Sequence, residues 1–100
     1  MKDLMAINET KILRGNLIEI LYRYYGTDIR ISVIRTSLRV KGMVSEEDLR
    51  KAIYYLGGEG KRYIHVEPAQ EFGDSMIWLT PTGVNLAEGD LQDIGVIIDE

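Results

Sequence analysis

The stretch SEEDLRKAIYYLGGEGKRYIHVE, residues 45–67, decides the fold. Its first half has a helical period, because Leu49, Ala52, Ile53 and Leu56 recur at the spacing of one helix face. Ser45 is a natural N-cap, and Asp48 at the third position after it comes close to a capping box. Gly57, Gly58 and Gly60 close the helix in a pattern that predicts a left-handed cap and a sharp turn. The period then drops to two. Tyr63-Ile64-His65-Val66-Glu67 alternates as a strand does, with Ile64 and Val66 facing inward.

Upstream, the spacing predicts two more helices. One covers residues 8–25, with Leu13, Leu17, Ile20, Leu21 and Tyr24 on one stripe, Asn8 or Thr10 as its cap and Gly26 as its stop. Gly15 costs that helix about 1 kcal/mol relative to alanine and loosens its first turns. Asp28-Ile29-Arg30 is a short, extended link. The next helix covers residues 31–40, buries Ile31, Val33, Ile34 and Leu38, and ends at Gly42. Gly42-Met43-Val44 is as short a turn as a helix-turn-helix over residues 31–56 requires. Downstream, residues 68–74 form a polar loop and Ser75-Met76-Ile77-Trp78-Leu79 returns as a second strand. Thr80 caps a last helix, Pro81 takes its first position, and Gly89 ends it. The chain therefore reads as α+β, mostly α. It has the order of a winged helix-turn-helix over residues 1–89: a three-helix core, a two-stranded wing and a C-terminal helix. An acidic tail follows over residues 90–100.

Two segments carry a family resemblance. LRKAIYYLGGEGKRYI, residues 49–64, resembles the recognition helix and first wing strand of winged-helix regulators of the PadR, MarR and ArsR type. LTPTGVNLAEG, residues 79–89, resembles the segment that follows the wing in those proteins. The short winged-helix proteins of Mu-like phages and prophages are the most similar, since they end in a like alanine-glutamate-glycine segment and a short tail. The resemblance spans about residues 10–90. It implies a small, dimeric, cytoplasmic DNA-binding regulator of transcription with no cofactor. Its third helix would enter the major groove, with the second helix and the wing base on phosphates.

The charges fit that expectation unevenly. All twelve Lys and Arg lie in residues 1–66 beside eight acids, a local charge of +4, and residues 67–100 carry eight acids and no Lys or Arg, −8, which together give the net −4. A local field governs docking more than a total charge does. The expected DNA contacts are Arg50, Lys51 and Tyr54 on the third helix, Arg30, Arg35, Arg39 and Lys41 on or beside the second, and Lys61 and Arg62 at the wing base. Each has a plainer reading as a polar helix face, an i,i+4 pair or a complement to a helix dipole. Glu46, Glu47 and Asp48 depart from the resemblance, because they stand where a recognition helix meets DNA. The wing loop, Ala69-Gln70-Glu71-Phe72-Gly73-Asp74, is acidic as well. These acids keep a second reading open, a protein-interaction module that uses an acidic surface, the tail included, to bind a partner.

No enzyme is expected. The chain has no cysteine, and its one histidine, His65, reads as an outward strand residue without metal-ligand company. Glu46 and Glu47 are adjacent on a helix and point apart, so they make a poor acid–base pair. The longest apolar runs are too short for a membrane span or a signal peptide, which places the chain in the cytoplasm. The six tyrosines and Trp78 read as core edges and dimer contacts, and Val96-Ile97-Ile98 as a cluster that docks on its own domain or on a second copy.

Overall fold

The computed structural model describes residues 3–98. Four helices and a three-stranded antiparallel sheet alternate along the chain. α1 is Leu4–Arg23, β1 is Ile29–Arg30, α2 is Ile31–Leu38, α3 is Glu46–Gly57, β2 is Ile64–Glu67, β3 is Met76–Leu79 and α4 is Pro81–Ala87. Single 3₁₀ turns follow α2, over Arg39–Lys41, and sit in the hairpin loop, over Phe72–Asp74. The chain is α+β and mostly helical. Among the described residues no helix is long and apolar enough to cross a membrane.

The periodic stripes form the core as their spacing requires. Leu17, Ile18 and Leu21 of α1, Ile34 and Leu38 of α2, and Leu49 and Leu56 of α3 are all almost completely buried. Ile77 and Leu79 of β3 close the core from the sheet side. Ser45 caps α3, its hydroxyl accepting from the Asp48 N–H at 3.1 Å, and Thr80 caps α4 by accepting from the Gly83 N–H at 3.1 Å. Pro81 occupies the first turn of α4, where no N–H is needed.

Several local expectations need correction. α1 starts at Leu4, not near Asn8. Asp3 is the cap, and its carboxylate accepts from the N–H groups of Met5 and Ala6 at 3.0 and 3.4 Å. Thr10 instead turns its hydroxyl to the Ala6 carbonyl, at 2.9 Å, inside the helix. Tyr24 lies beyond α1 and is exposed. Val33 is also exposed, because α2 buries only Ile31, Ile34 and Leu38. The α helix ends at Leu38, and Val40 lies in the 3₁₀ turn, 88% exposed. After α3 the glycine run holds no left-handed cap. Gly58 is extended at φ −62°, and the positive φ falls on Arg62, at 54°.

The sheet has three strands rather than two. The Ile29-Arg30 link pairs with β3, Ile29 opposite Ile77 and Arg30 opposite Met76, so the strand order is β1-β3-β2. β2 and β3 form the hairpin, with Ile64 opposite Leu79 and His65 opposite Trp78. Ile29, Ile64, Ile77 and Leu79 face the helices, and Arg30, His65, Glu67, Met76 and Trp78 form the outer face. His65 and Trp78 stack there with ring centroids 4.6 Å apart. Gly83 lets α4 lie on the hairpin, since a methyl group at that position would overlap the Tyr63 carbonyl and the Leu79 side chain.

Residues 93–98 pack along α1. The Ile97 N–H donates to the Lys11 carbonyl at 3.1 Å, Val96 is buried, and Arg14 donates to the Gly95 carbonyl at 3.0 Å. Gly15 makes this approach possible, because a side chain there would run into the Ile97 carbonyl. Gly15 therefore serves as a seat for the tail in a well-formed helix, rather than loosening its first turns.

Candidate nucleic-acid interface

The outer face of α3 follows from its burial. Leu49, Ala52, Ile53 and Leu56 turn to the core, so Glu47, Arg50, Lys51 and Tyr54 turn to solvent. Tyr54 is 86% exposed. Arg50 stands 3.8 Å from Glu46, and Lys51 stands 3.2 Å from Glu47. Exposed pairs of this kind contribute about 0.3–0.5 kcal/mol each and yield readily to a stronger anion. The Arg50 guanidinium also covers the Phe72 ring at 4.0 Å, which ties the hairpin loop to α3. Glu46, the partner of Arg50, therefore lies on the side of α3 that meets the loop.

The cations around α2 divide into three groups. Arg30 and Arg39 are exposed at its two ends. Arg35 is half-buried, and its Nε is buried without a hydrogen-bond partner among the described residues. Lys41 folds back on α1, 3.5 Å from Glu19 and 3.4 Å from the Asn16 amide oxygen, so it helps to fix the 3₁₀ turn.

Lys61 and Arg62 stand apart from these groups. They follow α3, a helix of 12 residues and about 18 Å, and lie at the open end of the hairpin, away from its loop. Arg62 is exposed, and its carbonyl accepts from the Thr80 hydroxyl. Lys61 is committed to Asp93. Each oxygen of the Asp93 carboxylate, 3% exposed, accepts two bonds. Oδ1 takes the Gly95 N–H at 2.7 Å and the Tyr55 hydroxyl at 3.2 Å, and Oδ2 takes the Tyr63 hydroxyl at 2.6 Å and Lys61 Nζ at 2.8 Å. Arg14 lies over the Tyr55 ring at 3.7 Å. Asp93, Tyr55 and Arg14 escape a reading of charge and period, since an acid in an acidic tail looks like any other. The one available signal was Gly95 two residues on, the pattern of an Asx turn.

No family model, curated protein or solved structure matches the chain.

Burial pushes the Asp93 carboxyl up, but the hydrogen bonds from Lys61, Tyr63 and the Gly95 N–H outweigh it and hold the pKa well below the usual carboxylate range. The Lys61 ammonium is raised by its bonds to Asp93 and Tyr55. Tyr63 is pushed up to about 12, by burial first and then by its bond to Asp93. A depressed acid contributes stability that is present above its unfolded value, here 3.8, and lost as pH falls towards the folded one. A raised tyrosine contributes stability present below 10.0 and lost as pH climbs through about 12. Urea midpoints measured against pH are therefore expected to show a plateau with an acid arm and an alkaline arm. Asp93→Asn should shorten the acid arm and Tyr63→Phe the alkaline one, and arms of unchanged size in both variants would contradict this assignment.

Proposed function

We propose that the chain is a winged-helix DNA-binding module that acts as a small transcriptional regulator. The observation that carries this reading is the solvent-facing side of α3, with Arg50, Lys51 and Tyr54, together with Arg30 and Arg39 exposed at the two ends of α2. The element order helix, strand, helix, helix, hairpin and the strand order β1-β3-β2 support it. So does the short break between α2 and α3. The function rests on analogy of fold and on this surface, since the same scaffold also serves protein binding. In this reading Arg30 and Arg39 take phosphates, and α3 lies in the major groove with Arg50, Lys51 and Tyr54 towards the DNA. Glu46 and Glu47 exclude guanine edges and accept from cytosine amino groups. Lys61 lies outside the interface, and a phageborne origin is an inference from the resemblance alone.

Fluorescence anisotropy of a labelled mixed-sequence duplex, at low and then rising salt, tests the reading. Saturable binding with a steep inverse salt dependence is expected. Arg30→Ala combined with Arg39→Ala should weaken binding on all sequences and flatten the slope by about 2, close to 0.9 per phosphate contact. Arg62→Ala should leave both unchanged. No binding at low salt would remove the DNA reading.

A second reading has its own observation. Glu46 of the α3 start, beside Arg50 and the Phe72 ring, and the exposed Glu71 and Asp74 of the hairpin loop give an acidic surface suited to a basic protein partner. The tail is a weaker candidate for such a partner than its charge suggests, because Asp93 is spent inside the domain.

A further inference from the structure

The outer face of the sheet turns away from the helical core, with Arg30, His65 and Glu67 exposed and Met76 and Trp78 half-buried. At its centre His65 of β2 and Trp78 of β3 stand opposite each other, ring on ring, with centroids 4.6 Å apart and planes 30° apart. They are the one histidine and the one tryptophan of the chain. β2 is an edge strand in the order β1-β3-β2, so no strand of the sheet stands beyond His65. One face of the His65 ring lies on Trp78, and the other opens over the sheet edge.

The charges around this stack are uneven. Arg30 and Glu67 flank Met76 from its two sides, nearer the hairpin loop, and offset each other in that row. Asp28 precedes β1 and so lies on the far side of Trp78 from His65. Towards the open end of the hairpin, Lys61 is neutralised by Asp93. Arg62 is exposed there and has no ion-pair partner among the described residues. It precedes His65 by three residues, at most about 10 Å of extended chain. An open aromatic face with a free guanidinium beside it suits a planar group that carries an anion. The same guanidinium repels the other group that stacks well on rings, an Arg or Lys side chain of a protein partner.

We propose that this face binds single-stranded nucleic acid, with an unpaired base stacked on the open face of His65 and a phosphate of the same strand on Arg62. The base extends the His65–Trp78 stack to three rings. Trp78 fixes the orientation of the His65 ring before the base arrives, so little side-chain freedom is lost on binding. Stacking of this kind tolerates every base, because each has a π-face. A duplex cannot use the site, since its bases are already stacked and paired. The site therefore takes a different substrate from the one assigned to α3, lies on a different element, and does not rest on duplex binding.

Proton NMR of the full chain, titrated at low salt with an oligodeoxyadenylate of about eight nucleotides, tests the site directly. The lone histidine gives one set of ring signals, and these are expected to move upfield and saturate as adenine stacks on the ring. In anisotropy of the same strand, labelled, His65→Thr should weaken binding about 5- to 100-fold, the range of one lost base stack, and His65→Tyr should keep it within about 2-fold. Arg62→Gln should flatten the salt dependence by about 0.7, the share of one single-strand phosphate. An oligoriboadenylate of the same length separates the two sources: tighter binding of either strand supports the site and names its sugar. No saturable shift would overturn the proposal, as would a His65→Thr chain that binds as tightly as wild type. A free adenylate nucleotide that binds as tightly as the strand would overturn it in favour of a small-molecule site. No duplex is present, so failure here leaves the α3 reading standing.

Discussion

Asp93→Ala is expected to lower the unfolding free energy by about 2–4 kcal/mol, as a drop in the urea midpoint with little change in slope. Lys61, Tyr55, Tyr63 and the Gly95 N–H all end on this carboxylate. Removing it strands the Tyr63 hydroxyl, which belongs to a residue only 5% exposed, and leaves the ammonium of Lys61 without its counter-ion. Lys61 is partly open to water and rehydrates, which keeps the loss below that of a fully buried charge. Asp93→Asn keeps the volume and some of the bonds but not the charge, and should fall between wild type and alanine. For a domain of this size about 3 kcal/mol corresponds to roughly 12–24 °C in Tm. A loss under about 1 kcal/mol would mean that the tail is not held by this carboxylate.

Gly15→Ala should destabilise, against the direction that helix propensity gives. In an open helix interior the same exchange gains about 1 kcal/mol. Here the added methyl meets the Ile97 carbonyl, and that carbonyl belongs to backbone that is itself hydrogen-bonded to Lys11. Either α1 and the tail separate, or the tail leaves. The net cost is expected to be about 1–3 kcal/mol, in the range of overpacking. Hydrogen exchange localises it: the amides of Val96 and Ile97 should lose protection while the middle of α3 keeps its own. Because both substitutions act on one docking event, Asp93→Ala and Gly15→Ala together should cost less than their sum. An additive pair would show that the two contacts hold different things.

Local causes leave their mark on the sequence, and distant ones do not. Ser45, Thr80 and Pro81 were legible because a cap acts within three residues. The stripe of Leu49, Ala52, Ile53 and Leu56 was legible because burial imposes the helical period on the sequence itself. β1 was not, since two residues carry no period and its partner, β3, lies far along the chain. Asn8 and Thr10 are as good in type as Asp3, and only the placement of the helix end chooses between them. The polar face of α3 was readable as a surface, though not the tie from Arg50 to Phe72. Lys61 shows the same limit for the candidate site. Its charge was visible, but the carboxylate that takes it comes from residue 93 and becomes a neighbour only in the folded chain.

The docking of residues 93–98 along α1 has one more consequence. Ile97 meets Lys11 and Gly95 meets Arg14, so the tail runs antiparallel to the helix, back towards Leu4. The described chain therefore starts and finishes along the same helix. A short bridge between those ends would change no contact in the core. An opening cut at the exposed Glu59-Gly60 turn would then give a circularly permuted chain with the same neighbours in a different order.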